Sequence, residues 1–487
     1  MNNTSMGRSP HISIISGGTA TNELVSLFYS LSHNITYILP ISDNGGSTSE
    51  VIRVIGGPAI GDIRSRLTRL IPEHHDSLRR LLSFRLSSDP VSAKREWNEI
   101  VEGSHALWGP INPATKEIIR AFFIHVHTEL LKRSRMQSSS SQQFRYELAN
   151  VGNLFLTGVR TFVGSLDSAI ELFARMTGVH SMTQVLPCIN TNFTYHISAL
   201  LENGVIITGQ SQISHPSEGC ENKLSVPSRE FLVAASPTDI PTPDFNFNQS
   251  VNLSINDLTL NTPSFSQDPT FNEPGPELEF NVSRASSICS SSSEQNIPQY
   301  THPELKKSQL HFNKSSTIEP LKSPIERIFY ISPYGEEILP TAHNRVTTSI
   351  LQADAVVYSI GSLMTSVIPV VILKGVGRAL LNSTAKSKIL LLNGCHDRET
   401  EGMDAEQFIE SIVTSALYSM GKKPDPNIAW TPYVTHLVHL KDSQIEVNKH
   451  RLTERGIICV EVDRLQDSDY YDPVGLEEVL RDIVNSS

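Results

Sequence analysis

Three glycine-centred runs near the start of this chain carry the residue types that hold phosphate oxygens. They are Ser16-Gly17-Gly18-Thr19, Asp43-Asn44-Gly45-Gly46-Ser47 and Gly61-Asp62-Ile63-Arg64. Glycine lets backbone N–H groups come close to a ligand, and a helix N-terminus favours anionic oxygens. A tight connector between two elements would explain any one of these turns equally well. Two in succession, followed by a third, point instead to a phosphate site. The first two must be positioned by the elements around them. A strand over His11–Ile15 precedes the first turn, and Thr21–Leu31 follows with Leu24, Leu27, Phe28 and Leu31 at helical steps. A strand over Asn34–Pro40 precedes the second, and a short amphipathic segment, Ser49–Ile55, follows. Adjacent parallel strands with both turns opening at one sheet edge are expected. In the third run Ile63, Leu67 and Leu70 share one helix face. Asp62 reads as that helix's N-cap, and Arg64 and Arg66 fall in its first turns, where a guanidinium can grip a phosphate with two parallel bonds.

Further along, Ser77–Arg133 reads as largely helical, with Trp97, Leu107 and Trp108 as core or lid candidates. His125 and His127 stand two apart on a helix and point to different faces, which suits core or surface histidines better than a metal pair. Gly152-Asn153 opens an apolar helix; helix packing with a cap, and a side-chain amide aimed at a ligand, explain it equally well. Thr194–Leu201 and Val205–Gln212 alternate around Asn203-Gly204, a hairpin signal for a two-residue turn with positive φ at both central positions. From Ser214 to about Ser323 the chain turns rich in Ser, Pro, Asn, Thr and Gln and is expected to be disordered, since it has too little apolar surface to offset ordering entropy. Strand-like sequence resumes at Ile325, so this tract reads as an insertion between β elements of one domain: 11–214, then 215–323, then 324–487.

The C-terminal part alternates strands (Ala353–Ser359, Lys388–Leu392, Tyr433–Leu440, Gly456–Val462) with helices (Asp404–Ser419, Gly475–Val484). Continuous apolar strands suit a parallel sheet covered on both faces. The expected fold is α/β: a Rossmann-like, doubly wound, mainly parallel sheet with a small β-hairpin region and a ligand crevice beyond the carboxyl ends of the strands. Thr365 and Ser366 read as caps of the helix after Gly361-Ser362. Asn393, Glu399 and Thr400 form another loop at the same edge.

Composition excludes several classes. A net charge of −11 without any basic run argues against nucleic acid. Five separated cysteines with no C-x-x-C pair fit reduced thiols and no zinc site. No apolar stretch suits a signal sequence or a membrane span, so a cytoplasmic protein is expected. The P-loop, the G-x-G-x-x-G dinucleotide fingerprint, the G-x-S-x-G elbow and H-E-x-x-H are all absent.

Taken together, Gly17-Gly18-Thr19, Asp43–Ser47, Gly61–Arg64, Gly152-Asn153 and Gly361–Ser366 occur in an order that resembles the 2-phospho-L-lactate transferase (CofD) family, nearer its gluconeogenesis-factor (YvcK-like) branch. The chain differs from that branch in having Asp43-Asn44 where a pair of aspartates is usual, Ser359-Ile360-Gly361-Ser362 where Gly-Pro-Gly-Ser is usual, Ser49 in place of glycine, and Ser65 in place of asparagine. The resemblance implies a Rossmann-like fold and either of two activities. One is Mg²⁺-assisted transfer of a phosphoester group from a nucleoside diphosphate carrier to a hydroxyl; the other is non-catalytic binding of a UDP-sugar by a regulator of carbon metabolism. On that reading Gly17, Gly18, Gly45, Gly46 and Gly361 set amides against a diphosphate. Thr19, Asn44, Ser47 and Ser362 add polar contacts, Arg64 neutralises phosphate charge, and Asn153 orients the phosphate or the acceptor. Asp43 would be the magnesium ligand or general base, with Asp62 as second choice. Compatible partners are the nucleotide or nucleotide-sugar, a second copy of the chain, and regulatory proteins meeting the insertion.

Overall fold

The alternation of apolar strands and amphipathic helices folds as its pattern requires. The computed structural model describes residues 9–42, 45–136, 143–214, 320–466 and 468–486, without the side chains of 134–136. Asp43, Asn44 and most of the expected disordered insertion lie outside the described residues, which resume at Pro320. The strands are β1 Ile12–Ile15, β2 Ile35–Leu39, β3 Gln184–Pro187, β4 His196–Leu201, β5 Ile206–Thr208, β6 Ile325–Ile331, β7 Glu337–Ile338, β8 Ala355–Tyr358, β9 Ser387–Leu391, β10 His436–Leu440 and β11 Ile458–Val462.

Seven of them form one sheet in the order β11-β10-β9-β8-β1-β2-β3. Every neighbouring pair in it is parallel. Ile12, Ile14, Ile15, Ile35, Tyr37, Ile38 and Leu39 are wholly buried, as are Ala355, Val356 and Tyr358, so the central strands are covered on both faces. From β1 the chain steps through β2 to β3 on one side. It later returns at β8, on the other flank of β1, and steps outward to β11. The strand order therefore reverses between β1 and β8, and the loops leaving these two strands diverge to opposite faces. That is where an open α/β sheet leaves a crevice.

The other four strands form an antiparallel sheet, β5-β4-β6-β7, in which β4 and β6 pair across the tract from 215 to 319. The hairpin between β4 and β5 is present but differs from the expected one. Leu201 N–H donates to Val205 O, Gly204 N–H donates to Leu201 O, and among the two turn residues only Gly204 has positive φ (+82°). This is a three-residue loop with a left-handed glycine; Asn203 instead accepts from the Val205 N–H through its side chain, 3.1 Å. Beyond Thr208 the chain turns into a short helix, Gln210–Ser214, where strand was expected to continue.

Helix boundaries follow capping chemistry. Asp404 caps Ala405–Ser419 with a reciprocal capping box to Gln407, and Asp472 caps Pro473–Asn485. Ser362, and not Thr365 or Ser366, caps the helical segment that begins at Leu363 with a π-helical turn. Asn150 caps Val151–Val163, which settles the role of Gly152-Asn153. A Cβ on Gly152 would sit 2.1 Å from the Leu82 carbonyl oxygen, so this glycine exists for close packing. Gly152→Ala should cost about 1–3 kcal/mol of stability, because backbone must move to relieve the overlap; urea unfolding of the two proteins measures it.

Candidate functional site

At the reversal point the loops after β1, β8 and β9 enclose a cleft of about 610 Å³. Its walls include Gly17, Gly18, Thr19, Asp62, Gly361, Ser362 and Glu399, with Ser214 and Pro320 at the two ends of the described chain that flank the insertion. The turn after β1 leads into a 3-10 segment, Ala20–Leu24, that continues as the helix Val25–Leu31. Among the described residues no acceptor is paired with the N–H groups of Gly17, Gly18, Thr19 or Ala20. This is a ready set of donors for an anion.

Both glycines of the turn are dictated by crowding. A Cβ on Gly18 would lie 2.0 Å from Asp62 Oδ1, and one on Gly17 would lie 2.4 Å from Ser366 Oγ. Asp62 is thus not the cap of its helix, Gly61–Arg69, whose N-cap position is Ile60. Its carboxyl rests against the first turn instead. One helical turn further on, Arg66 is wholly buried, donates to the Gly17 carbonyl at 3.0 Å and lies over the Tyr37 ring, 4.5 Å from its centroid. Arg66 faces the protein, so it is a strut for the turn and not a phosphate grip.

The opposite wall is built by the loop after β9. Asn393 clamps Gly361 from both sides: its Oδ1 accepts from the Gly361 N–H at 3.0 Å and its Nδ2 donates to the Gly361 carbonyl at 2.8 Å. Gly361 takes a φ of +125°, which side chains other than glycine rarely adopt, and its amide is already used. It shapes the cleft without offering a donor to it. Glu399 is buried and takes hydroxyl donors from Ser214 and Ser362, and from Thr365 at 2.9 Å. Burial, with the charge of Asp397 second, pushes its carboxyl up to about 7 against the pull of those three hydroxyls. Asp397 in turn accepts from the N–H groups of Glu399 and Thr400 and from the Thr400 hydroxyl, fixing the loop. Arg398 donates to the carbonyls of Gln212 and Ile213, tying the same loop to the Gln210–Ser214 helix.

A second group of expected site residues stands on the β2 side. Arg64 Nε donates to Asn153 Oδ1 at 3.0 Å, and Asn153 Nδ2 donates to Ser47 Oγ at 2.9 Å. Two residues apart on one helix, Asp62 and Arg64 diverge by about 200°. Asp62 faces the cleft and Arg64 faces Asn153. Burial, reinforced by Arg85 and opposed by Asp62, lowers the Arg64 guanidinium to about 10. No carboxylate among the described residues forms an ion pair with it, and the Asp62 charge only partly offsets its desolvation. Gly45 is the N-cap of the helix Gly46–Val54, and Gly46, with φ +55°, borders open space. Asp43 and Asn44, between β2 and this helix, lie outside the described residues.

The model of the 2-phospho-L-lactate transferase CofD family matches residues 12–470. The chain belongs to this family. A Saccharomyces cerevisiae protein, YNL011C, is 40% identical over 486 residues, covering 97% of this chain and 99% of that one. Two crystal structures of protein BH3568 from Bacillus halodurans, one described as a member of the UPF0052 family, share its fold with TM-scores of 0.54 at 16% and 15% identity, covering 97% of this chain and 99% of theirs. Among the described residues of this CofD-family chain, no group of three or more His, Cys, Asp or Glu is arranged to hold a metal, and no helix is long and apolar enough to cross a membrane.

Gly17, Gly18, Thr19, Asp62, Gly361 and Ser362 therefore meet in one cleft, while Ser47, Arg64 and Asn153 form a hydrogen-bonded trio across the Gly61–Arg69 helix. Sequence reasoning placed Asn393 and Glu399 at this edge without a role; the polar run after the apolar strand β9 was their signal. Nothing in the sequence tied Ser214 to Glu399. The raised carboxyl has a consequence for stability. Between about pH 4.5 and 7 the folded chain keeps a proton on Glu399 that the unfolded chain has released, so rising pH favours unfolding through this group. Glu399→Gln removes that component. Its stability relative to the parent should rise across this window and level off above it, as read from urea unfolding at a series of pH values.

Proposed function

We propose that this chain binds a nucleoside diphosphate-linked ligand, with Mg²⁺, and transfers a phosphoester group from it to a hydroxyl acceptor. The observation that carries this reading is the Asp62 carboxyl held against the unengaged amides of the Gly17–Thr19 turn at the strand-order reversal. A diphosphate suits those amides. Among the described residues the cleft is also lined by Asp397 and Glu401, against the cation Arg398, so an anionic ligand entering it calls for a divalent counter-ion. Hard oxygen donors fit magnesium, which is ordinarily held by one or two carboxylates plus phosphate oxygens. Asp62 would hold it there, and the bound ion would neutralise the diphosphate.

The chain's own residues then divide the work. The amides of Gly17 and Gly18 and the Thr19 hydroxyl hold phosphate oxygens, while Arg64, turned toward Asn153, stands outside this cleft. Glu399 fixes the Ser362 hydroxyl in the cleft wall. The acceptor hydroxyl oxygen bonds to the distal phosphorus as the bond from that phosphorus to the bridging oxygen breaks, and the hydroxyl proton passes to the departing nucleoside monophosphate, a reaction that needs mainly positioning and charge stabilisation. A second reading, binding of a nucleotide-sugar without transfer, is favoured by one observation: both oxygens of Glu399 already accept from hydroxyls of the protein.

Calorimetric titration with GDP and a panel of UDP-sugars, with and without Mg²⁺, tests both readings. Mg²⁺-dependent binding is expected, weakened roughly ten- to a hundredfold by Asp62→Ala through loss of the carboxylate placed to hold the ion. Release of nucleoside monophosphate from a diphosphate-linked substrate would mark the transferase. Tight UDP-sugar binding that ignores both Mg²⁺ and Asp62→Ala would count against it, and no binding by any nucleotide would sink the cleft assignment.

A further inference from the structure

The small antiparallel sheet stops pairing on one side half-way along β6. There β7 pairs with Tyr330 and Ile331 only. In that register Ile328 would face Pro340, which has no N–H to give, and the Pro340 carbonyl accepts instead from the Lys374 N–H at 2.9 Å. The chain leaves the sheet at this point.

Alternation of antiparallel bonds shows which backbone groups of β6 are left over. The Ser332 N–H donates to the Glu336 carbonyl at 2.8 Å, so Ser332, Tyr330, Ile328 and Glu326 direct their N–H and C=O groups toward the β7 side. The β4 side agrees. Leu201 N–H donates to Val205 O and Gly209 N–H donates to Ile197 O, which turns the odd-numbered residues of β4 toward β5. Ser198 and Leu200 therefore face β6, where they meet Phe329 and Arg327. Glu326 and Ile328 have no strand partner on the β7 side among the described residues, although Ile328 is only 3% exposed. Main-chain groups in so sheltered a place are rarely left without a partner.

Beside this edge lies a groove of about 460 Å³. Met364, Ile368 and Ile372, all buried, give it an apolar floor. Its far wall is the Ala405–Ser419 helix, which rests on Ile368–Val371 and turns Ser411 and Thr414 toward the gap. Among the described residues, Glu202, Glu326 and Glu410 stand exposed on the rim against Lys422. Arg327 is there too, but Glu337 already takes its guanidinium with two bonds of 2.7 and 2.8 Å. The rim is therefore acidic. A row of main-chain donors and acceptors beside an apolar floor is the setting in which an extended peptide adds a strand. A small apolar molecule would leave the main-chain groups bare.

We propose that this groove receives an extended segment of a partner protein, added to β6 as a strand, with apolar side chains at alternate positions on the floor and basic ones between them meeting the rim. The groove backs onto the cleft through one segment, with Ser362 and Thr365 lining the cleft and Met364 and Ile368 the groove. The proposal rests on neither reading of the cleft.

Fluorescence anisotropy with the full chain and three labelled octapeptides tests it. One alternates valine with lysine, one alternates valine with glutamate, and one places all its valines before all its lysines. The first should bind saturably and at least roughly tenfold more tightly than the other two. The Glu326 N–H points away from β4, so Glu326→Pro removes an edge donor and spares the β4 ladder. It should weaken binding roughly tenfold beyond Glu326→Gln, which removes the charge alone. Thr414→Arg should block the groove from its far wall with circular dichroism unchanged. By hydrogen exchange, the Ile328 amide should exchange faster than that of Phe329 in the free chain and slow when the alternating valine–lysine peptide is added. An Ile328 amide already as protected as that of Phe329 would mean that the chain covers its own edge, and would overturn the proposal. So would three peptides that bind equally or not at all, or binding indifferent to Glu326→Pro and Thr414→Arg.

Discussion

The turn after β1 is held by a charge buried beneath it. Arg66 has no exposed surface, and taking a guanidinium out of water costs several kcal/mol unless it is well paired. Partial compensation comes from the Gly17 carbonyl, from the face of the Tyr37 ring and from the negative charge of Asp62, while Nε and Nη1 have no hydrogen-bond partner among the described residues. These partners link β2, the β1 turn and the Gly61–Arg69 helix. The same helix that sends Arg66 inward presses Asp62 onto Gly18, so close that only glycine fits. The strut and the carboxylate of the cleft are thus one helical turn apart and are positioned together.

The other wall is organised by a comparable economy of contacts. Asn393 uses its whole amide on the peptide of Gly361, and Glu399 collects three hydroxyls from two segments far apart in the chain. A buried carboxylate satisfied this way rigidifies the groups around it, because each donor would otherwise be left without a partner in a poorly solvated place. One of those donors, Ser214, is the last described residue before the 215–319 tract. The cleft wall and the point at which the insertion leaves the fold are therefore joined by a hydrogen bond.

Parallel strand order explains why the two walls meet. β1 and β8 are separated by more than three hundred residues, yet they pair from Ile12 with Ala355 to Ile15 with Tyr358. The loops that follow them emerge at the same edge and turn away to opposite faces. Gly17-Gly18 and Gly361-Ser362 face each other because of this register, not because of anything local to either loop.

The sequence by itself determined most of the strands, though not β3, together with the glycine turns and the family. Apolar runs, helical spacing and glycine patterns are local signals, and the order of motifs along the chain is preserved whatever the fold does. It also located the edge at which the cleft residues gather. Tertiary structure decided which of them share a space. Helical periodicity alone separates Asp62 from Arg64, but only packing shows the first against Gly18 and the second beside Asn153. The hairpin at Asn203-Gly204 took a three-residue loop because strand register, which is not local, set where pairing resumed at Val205. Arg66 and Gly361 carried sequence signals for ligand contact, and packing committed the first to a carbonyl and the second to Asn393. Contacts such as Ser214 with Glu399 join residues far apart in the chain, and no periodicity or spacing encodes them; they exist only once the sheet has closed.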